Sequence, residues 1–295
     1  MKKRKEPSPV LTYRGYYRES WDLLKRDPLA MISLVIVLLL VIVAVFAPLI
    51  APYDPDKQIL SQRLMKPCME HWFGCDEHGR DILSRCIYGC RISLSVGLVS
   101  QIIATVIGYF MGVCAGYFGG KVDAAISFLI QVFSSLPDLL LAMALMFALG
   151  RGLVNLYISL GVLAWSRTAR LIRGTVLQLK EKEYVKSCRV DGGSNLRIIL
   201  RHLLPNCIPT LIITITMGIP SAILSEASLS FLGLGVRAPM SSWGDMISAS
   251  RAFMGSDGSK WFYSFFPGLC MIVAVIAFNT LGDGLRDALD PKLRK

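Results

Sequence analysis

A long uncharged stretch near the N-terminus constrains the fold more than any other feature. Residues 29–51 contain no charged side chain, and a helix needs roughly 20 apolar residues to cross a bilayer. The stretch is longer than the apolar part of a signal peptide, so we expect an uncleaved anchor. Five more apolar stretches follow, at residues 92–115, 122–149, 153–165 (extending to about 171), 207–234 and 262–281. The sequence therefore predicts an all-α integral membrane protein with six transmembrane helices.

The positive charges predict the orientation of these helices. Of the 32 Lys and Arg residues, 22 lie in segments that would share one side with the N-terminus, and 10 lie on the other side. Because cytoplasmic loops carry the excess of Lys and Arg, we expect both termini to be cytoplasmic. This distribution explains the net charge of +11 without any binding of nucleic acid.

The spans divide the chain into five segments. Residues 1–28 form a cytoplasmic tail, in which Tyr17, Trp21 and Leu24 have the spacing of an amphipathic helix lying on the membrane surface. The dipeptide Asp27–Pro28 should end that helix. The other segments are a first span, an extracytoplasmic segment, a permease-like core and a cytoplasmic tail, at residues 29–51, 52–90, 91–283 and 284–295.

A polar, basic loop at residues 167–206 interrupts the core. Its sequence predicts one helix over residues 178–189, a C-cap at Gly192–Gly193, and a second helix over 195–204 that Ser194 caps and Pro205 ends. Two interpretations are open. The loop is either an ordinary connector or a rigid element on which another protein docks.

Part of this loop matches a known motif. Residues 183–206, EYVKSCRVDGGSNLRIILRHLLPN, resemble the EAA loop of binding-protein-dependent ABC importers. Gly192, Leu204 and Pro205 stand where the motif requires them. Two parts of the motif are different here. The Glu-Ala-Ala positions hold Lys186, Ser187 and Cys188, and the Ile position holds His202.

Four other segments extend the resemblance along the chain. They are DPLAMISLVIVLLLVIVAVFAPLIAPYDP, HWFGCDEHGRDILSRCIYGCRISLSVGL, ILSEASLSFLGLG and LGDGLRDALDPKLR. Together they resemble the C-type permease subunit of dipeptide and oligopeptide importers. The resemblance implies the type I ABC importer permease fold, the inner membrane as location and peptides as cargo. Similar subunits serve nickel importers, so a nickel complex is the alternative cargo.

The resemblance also implies partners and a coupling site. The partners would be a homologous second permease, two ATP-binding cassette subunits and an extracytoplasmic substrate-binding protein. The ATPases would drive alternating access through the coupling loop. The residues implied in that contact are Tyr184, Val185, Lys186, Ser187, Cys188, Asp191, Gly192, Gly193, Leu204 and Pro205.

The chain shows no catalytic motif of its own. Its Gly120–Lys121 pair is followed by Val122, and Ala115 holds the first glycine position of a phosphate-binding loop. We therefore expect neither an enzyme nor a bound cofactor, with ATP hydrolysed by partner subunits. An ion-coupled secondary transporter is the alternative from another class, but it would need more titratable groups within the spans.

Two acidic residues in the apolar stretches are candidates for the pathway. Glu226 lies deep in the fifth stretch, where an unpaired carboxylate is unfavourable. It either lines the pathway as a gate or bonds to a neighbouring helix. Asp138 follows Pro137 and either lines the pathway or caps a helix that restarts after a break.

The extracytoplasmic segment contains Cys68, His71, Cys75 and His78. These residue types bind zinc or nickel, although the spacing is not that of a standard zinc site. A Cys68–Cys75 disulfide is the second alternative, and unpaired side chains are the default. We expect Arg167, Arg170 and Arg173 to be anchors that reach the lipid headgroups.

Overall fold

A computed structural model describes residues 16–237, 239–253 and 258–289, and within these ranges the chain is helical without a strand. The expectations for residues 1–15, for the side chain of Tyr17 and for residues 290–295 lie outside the described part. The α-helices of the described residues, α1 to α12 in order, are Tyr16–Leu24, Pro28–Val45, Ala47–Ile50, Ile82–Phe118, Gly120–Ser135, Asp138–Leu149, Leu153–Leu179, Glu183–Val190, Asn195–Ile198, Leu204–Phe231, Trp243–Ser250 and Phe262–Leu289.

Local capping fixes where several helices begin. Asp27 accepts hydrogen bonds from the amides of Leu29 and Ala30, which starts α2 and separates it from α1. Asp81 caps α4 by accepting from the Ser84 amide at 2.7 Å. Helix α4 therefore begins ten residues before the apolar stretch predicted at 92–115, because the cap, and not hydropathy, sets its start.

Four of the described helices are long and apolar enough to span a membrane: α2, α4, α12 and the helix running through α9 and α10, Asn195–Phe231. Helices α5 and α6 qualify together but are bent by 94° at the break between Ser135 and Asp138. The stretch 122–149, predicted as one span, is therefore interrupted, and the helix break expected before Asp138 is confirmed. Proline at position 137 disfavours helical geometry in the residue before it, and Leu136 is extended.

Pro205 does not end the second helix of the loop. Helix α9 continues through a π-helical turn, Ile199–Leu203, directly into α10. A π turn shifts the hydrogen-bond register, so a proline that has no N–H is accommodated at the start of the next helix. The second helix of the loop and the fifth predicted span are thus one continuous helix, Asn195–Phe231.

Helix α7 packs closely along α4, in the largest helix–helix contact of the described chain. Three glycines one turn apart on α4, at positions 108, 112 and 116, face the backbone of α7. A Cβ atom on Gly112 would lie 2.7 Å from the carbonyl oxygen of Ala169, and one on Gly116 would lie 2.9 Å from that of Arg173. Small residues at this spacing let membrane helices approach each other closely.

The remaining long helices surround this pair. Helix α2 packs against α4 and α12, and α10 packs against both α4 and α12. Residues including Val37, Leu94, Ile223 and Phe278 form the apolar cluster that these four helices share. Helix α1 contacts the end of α12 through Leu24 and Ala288.

We predict that Gly112→Ala destabilises the protein, because the added methyl group must displace the backbone of α7. Overpacking of this kind costs about 1–3 kcal/mol of unfolding free energy. Thermal unfolding in detergent, followed by fluorescence or by loss of monodisperse protein, measures the change.

Gly174→Ala on α7 is the matched control, since nothing lies within 4 Å of a Cβ atom there. Alanine favours the helix by about 0.8–1 kcal/mol over glycine, so this variant should be at least as stable as the native chain. Equal melting temperatures for Gly112→Ala and Gly174→Ala would contradict the close contact.

Candidate functional site

A cavity of about 630 Å³ lies among α4, α6, α7, α10 and α12, and its lining is mainly apolar with polar groups between the apolar ones. Hydroxyl and amide groups face it from three helices, and the principal ones are Gln101, Thr168, Thr210, Thr214, Ser221 and Ser225. Its charged lining residues within the described chain are Asp138, Arg167 and Arg286. The cavity therefore offers hydrogen-bonding groups on helices long enough to span a membrane.

Asp138 and Arg167 form an ion pair at the edge of the cavity. Asp138 is the first residue of α6 and not its N-cap residue, which is Pro137, so the structure does not favour the alternative in which Asp138 caps the restarted helix. The carboxylate binds the guanidinium of α7 instead, because the 94° bend turns the start of α6 towards that helix. Both side chains remain more than half exposed, at 57% for Asp138 and 65% for Arg167.

Two more arginines of α7 bind α5, the first helix of the bent α5–α6 pair. Arg170 donates to the hydroxyl of Ser134 at 2.9 Å, near the end of α5. Arg173 donates twice to the carboxylate of Asp123 at the start of α5, at 2.5 and 2.7 Å. The expectation that these arginines reach for lipid headgroups therefore needs correction, because each is bonded within the protein. Their spacing of three residues places them on one face of α7.

Glu226 lies away from the cavity. Its side chain is fully buried between α10 and α11, and one carboxylate oxygen accepts hydrogen bonds from Ser230 and Ser242, both at 2.6 Å. The second oxygen has no partner and would lie 2.9 Å from a Cβ atom on Gly244. This geometry favours the second alternative drawn from the sequence, a bond to a neighbouring element.

The loop between α7 and α10 forms the short hairpin of α8 and α9. Gly192 has a φ of +78° and follows the C-cap residue Asp191. The Gly193 amide donates to the carbonyl of Cys188 at 2.9 Å, and that of Gly192 donates to the carbonyl of Arg189 at 3.1 Å. These two bonds define a Schellman motif.

Ser194 then caps α9, since its side chain accepts from the Arg197 amide. The predicted cap residues at the turn are thus confirmed. The first helix of the hairpin starts at Glu183, five residues later than predicted, because Gln178 and Leu179 belong to the end of α7.

The hairpin is attached to the end of α4 by contacts that sequence alone did not reveal. The Tyr117 hydroxyl donates to Oδ1 of Asn195 at 2.8 Å, and the guanidinium of Arg189 lies 5.2 Å from the Tyr117 ring. Val185 is buried beside the same tyrosine, in a cluster that includes Ile198. The hairpin is therefore part of the packed structure and not a loose connector.

The residues that depart from the motif have local partners. Lys186, at the position of the motif's glutamate, pairs with Glu181 at 2.9 Å, and this hydrogen bond lowers the pKa of the Glu181 carboxyl. His202 lies with its ring 6.0 Å from that of Tyr184. The outer surface of the hairpin exposes apolar side chains, above all Val190 with 86% exposure, and also Leu196 and Leu200.

The structure does not gather the four cysteine and histidine residues into one ligand set. His71 bonds to Asp81 at 2.9 Å, and His78 lies beside Glu77. Cys68 is exposed and Cys75 is buried, and both are free thiols. Within the described residues the one group with three potential ligand atoms close together is Asp76, Glu77 and His78, but Asp76 already binds Arg80.

Comparison with known proteins identifies similar chains over almost the whole length. The model of the binding-protein-dependent transport system inner membrane component matches residues 104–295. The model of the N-terminal TM domain of oligopeptide transport permease C matches residues 15–67.

Individual relatives agree with the family models. The dipeptide transport system permease protein DppC of Bacillus subtilis (strain 168) is 42% identical over 95% of this chain and 87% of its own length. The oligopeptide permease OppC of the same organism is 39% identical over 92% and 88%. The glutathione permease GsiD of Escherichia coli O6:K15:H31 (strain 536 / UPEC) is 41% identical over 95% and 92%.

A solved structure of the MetNI methionine ABC transporter, in an inward-facing conformation, has the same fold. It superposes with a TM-score of 0.57 at 19% identity, covering 71% of this chain and 98% of that chain.

We predict that Glu226→Gln leaves assembly and uptake intact, whereas Glu226→Ala lowers stability. Glutamine retains an oxygen that accepts from both serines. Alanine leaves two buried hydroxyls without an acceptor, at about 1–3 kcal/mol for each unsatisfied group. Melting temperature and uptake, measured for both variants, test this. A Gln variant that assembles fully but no longer transports would place the carboxylate in the pathway instead.

We predict that a maleimide modifies Cys68 and spares Cys75 at pH 8. Burial, and then the charges of Asp81 and Asp76, raise the pKa of the Cys75 thiol to about 12, so the reactive thiolate forms only as the pH approaches that value. Peptide mass spectrometry after short labelling locates the adduct, and the unfolded chain, labelled at both positions, is the control. A native chain that resists labelling at Cys68 would indicate a disulfide or a bound metal.

Proposed function

The chain belongs to the family of binding-protein-dependent transport system inner membrane components, and from this premise we propose that it is the C-type permease subunit of an importer of dipeptides and oligopeptides. It is a transport subunit of ABC importers and not itself an enzyme. The sequence has no phosphate-binding loop, so the ATP that drives transport is hydrolysed by other subunits.

The cavity, with a charged pair at its edge, is the observation that carries the proposal. Its edge, formed by Asp138 and Arg167, is more than half exposed although it belongs to the membrane-spanning bundle. A charged pair on helices of this bundle is unfavourable against lipid and needs protein or water around it. A homologous second permease covering this edge satisfies the requirement and turns the cavity into half of a shared pathway.

The lining of the cavity suits peptides. Hydroxyl and amide groups such as Thr210, Thr214 and Gln101 can both donate to and accept from a peptide backbone. The relatives in Bacillus subtilis and Escherichia coli carry the names of dipeptide, oligopeptide and glutathione systems, and glutathione is itself a short peptide. Peptides are therefore favoured over the alternative cargo, a nickel complex.

The hairpin of α8 and α9 is the proposed coupling site. Val190, Leu196 and Leu200 are exposed apolar side chains at its surface, and a protein partner would bury them. We assign this surface to one of two ATP-binding cassette subunits. The other would bind the corresponding hairpin of the second permease. An extracytoplasmic binding protein would deliver the cargo on the opposite side.

In the proposed topology six spans cross the membrane and both termini are cytoplasmic. The four apolar helices, the bent pair of α5 and α6, and α7 supply the six. The excess of Lys and Arg in the segments on the side of the hairpin supports the orientation.

Reconstitution tests the proposed function. The chain, purified from its native membrane, should bring a second permease and two ATPases with it, and the complex with its binding protein should accumulate labelled dipeptides in vesicles when ATP is present. Uptake that depends on an ion gradient and not on ATP would support the secondary transporter. Uptake of nickel but not of peptides would reassign the cargo.

We predict that Gly192→Val separates ATP hydrolysis from transport. Valine is strained at a φ of +78°, so the Schellman turn and the hairpin surface are displaced while the spans remain folded. ATPase activity with and without binding protein, measured beside uptake, should show hydrolysis with reduced transport.

Gly192→Asn is the matched control, because asparagine tolerates the left-handed conformation better than other residues with a side chain. It should retain most of the uptake. A Val variant that transports at the native rate would show that the turn does not shape the coupling surface.

A further inference from the structure

The segment that joins α3 to α4 has a projecting tip, residues 66–72, that the transport function does not use. Two of its side chains are among the most exposed apolar groups of the described chain, with 92% exposure for Met69 and 68% for Trp72. The indole N–H of Trp72 donates to the Met69 carbonyl at 3.2 Å, so the two lie together on one surface. Exposed apolar side chains that adjoin in this way usually mark a contact surface.

The tip is fastened to the outer ends of two membrane helices. The hydroxyl of Tyr53, just beyond α2 and α3, donates to the Glu70 carbonyl at 2.9 Å. On the other side, the ring of Phe73 stacks on that of Phe266 in the first turns of α12, with centroids 3.9 Å apart. Both fastening points lie near the ends of helices that are long and apolar enough to span a membrane.

The tip is continuous with surfaces that face lipid. Residues 265, 269, 272 and 276 form an exposed apolar stripe along α12 with helical spacing, and Trp261 continues it towards the tip. The rings of Trp261 and Phe266 lie 5.9 Å apart, which joins this stripe to Phe73 and its neighbour Trp72. Phe46, at the end of α2, and Leu49, in α3, are exposed in the stretch that leads to Tyr53.

The tip lies far from the hairpin assigned to the ATPases and apart from the cavity edge assigned to the second permease, although it is on the same side of the membrane as the binding protein. Helix α4 begins after this segment and extends for 37 residues to the hairpin of α8 and α9, a length of about 55 Å at 1.5 Å per residue. The cavity edge is formed by α6 and α7, and no residue of α2 lines the cavity.

We propose that residues 66–72 form an interfacial anchor, in which Met69 and Trp72 insert into the headgroup region of the lipid leaflet opposite the hairpin. Tryptophan prefers this region because its ring is apolar and its N–H polar. Lys66, exposed at the start of the tip, is placed to meet lipid phosphates. The anchor fixes the depth of α2 and α12 and takes no part in binding cargo.

A spin label on Cys68 tests the proposal, because this cysteine is exposed within the tip while the others are buried or partly buried. The intact transporter, labelled with a membrane-impermeant nitroxide and reconstituted in vesicles, is examined by power saturation with oxygen and with a water-soluble nickel chelate. Mass spectrometry verifies that Cys68 alone carries the label. A label on Lys57→Cys in a Cys68→Ser background, at an exposed charged position of the same segment, is the matched control.

We expect the label on Cys68 to be more accessible to oxygen and less accessible to the chelate than the control label, with or without binding protein. Equal access of the chelate to both labels would overturn the proposal. Protection of Cys68 only after addition of binding protein would also overturn it and assign the tip to protein docking. Peptide uptake, measured in the same vesicles, separates this result from a failure of the proposed transport function.

Discussion

The close approach of α4 and α7 is the contact on which the other functional features depend. Because glycines at positions 108, 112 and 116 allow the two backbones to meet, α7 lies flat on α4 and presents one face outward. That face carries the three arginines that hold α5 and α6. A wider separation would move the arginines away from Asp123 and Asp138, and the cavity would lose the wall that α6 provides.

The same α4 helix also connects the two ends of the molecule. At one end Asp81 caps the helix and also bonds to His71 in the preceding segment. At the other end Tyr117 contacts the hairpin: its hydroxyl bonds to Asn195, and its ring lies beside the guanidinium of Arg189. The helix thus supports the cavity wall, the hairpin and the opposite surface together. Small residues dominate its buried face because neighbouring elements approach its backbone closely on several sides.

Local signals predicted much of this fold, while contacts between distant segments were out of reach. Long apolar runs gave the spans, and the turn at Gly192 and Ser194 followed from the preferences of single residues for φ and for capping. The ion pair of Asp138 with Arg167 could not be predicted from local signals, because it depends on the 94° bend between α5 and α6 and on the position of α7 beside α6. Glu226 was equally ambiguous: its neighbour Ser242 belongs to another helix. The glycines at a spacing of four are visible in the sequence and indicate a close helix contact for α4, but they do not identify α7 as the partner.

The unbroken helix from Asn195 to Phe231 has a mechanical consequence. One end belongs to the hairpin, and its middle carries Thr210, Thr214 and Ser221 on the cavity wall. A tilt imposed at the hairpin is therefore transmitted to the wall along one helix, which acts as a lever with no loop in it. Pro209 and Pro220 lie within this lever and each removes a backbone hydrogen bond. They divide it into stiff sections with two sites of easier bending, one near the hairpin and one beside the cavity, so that a small angular input can open one end of the wall more than the other.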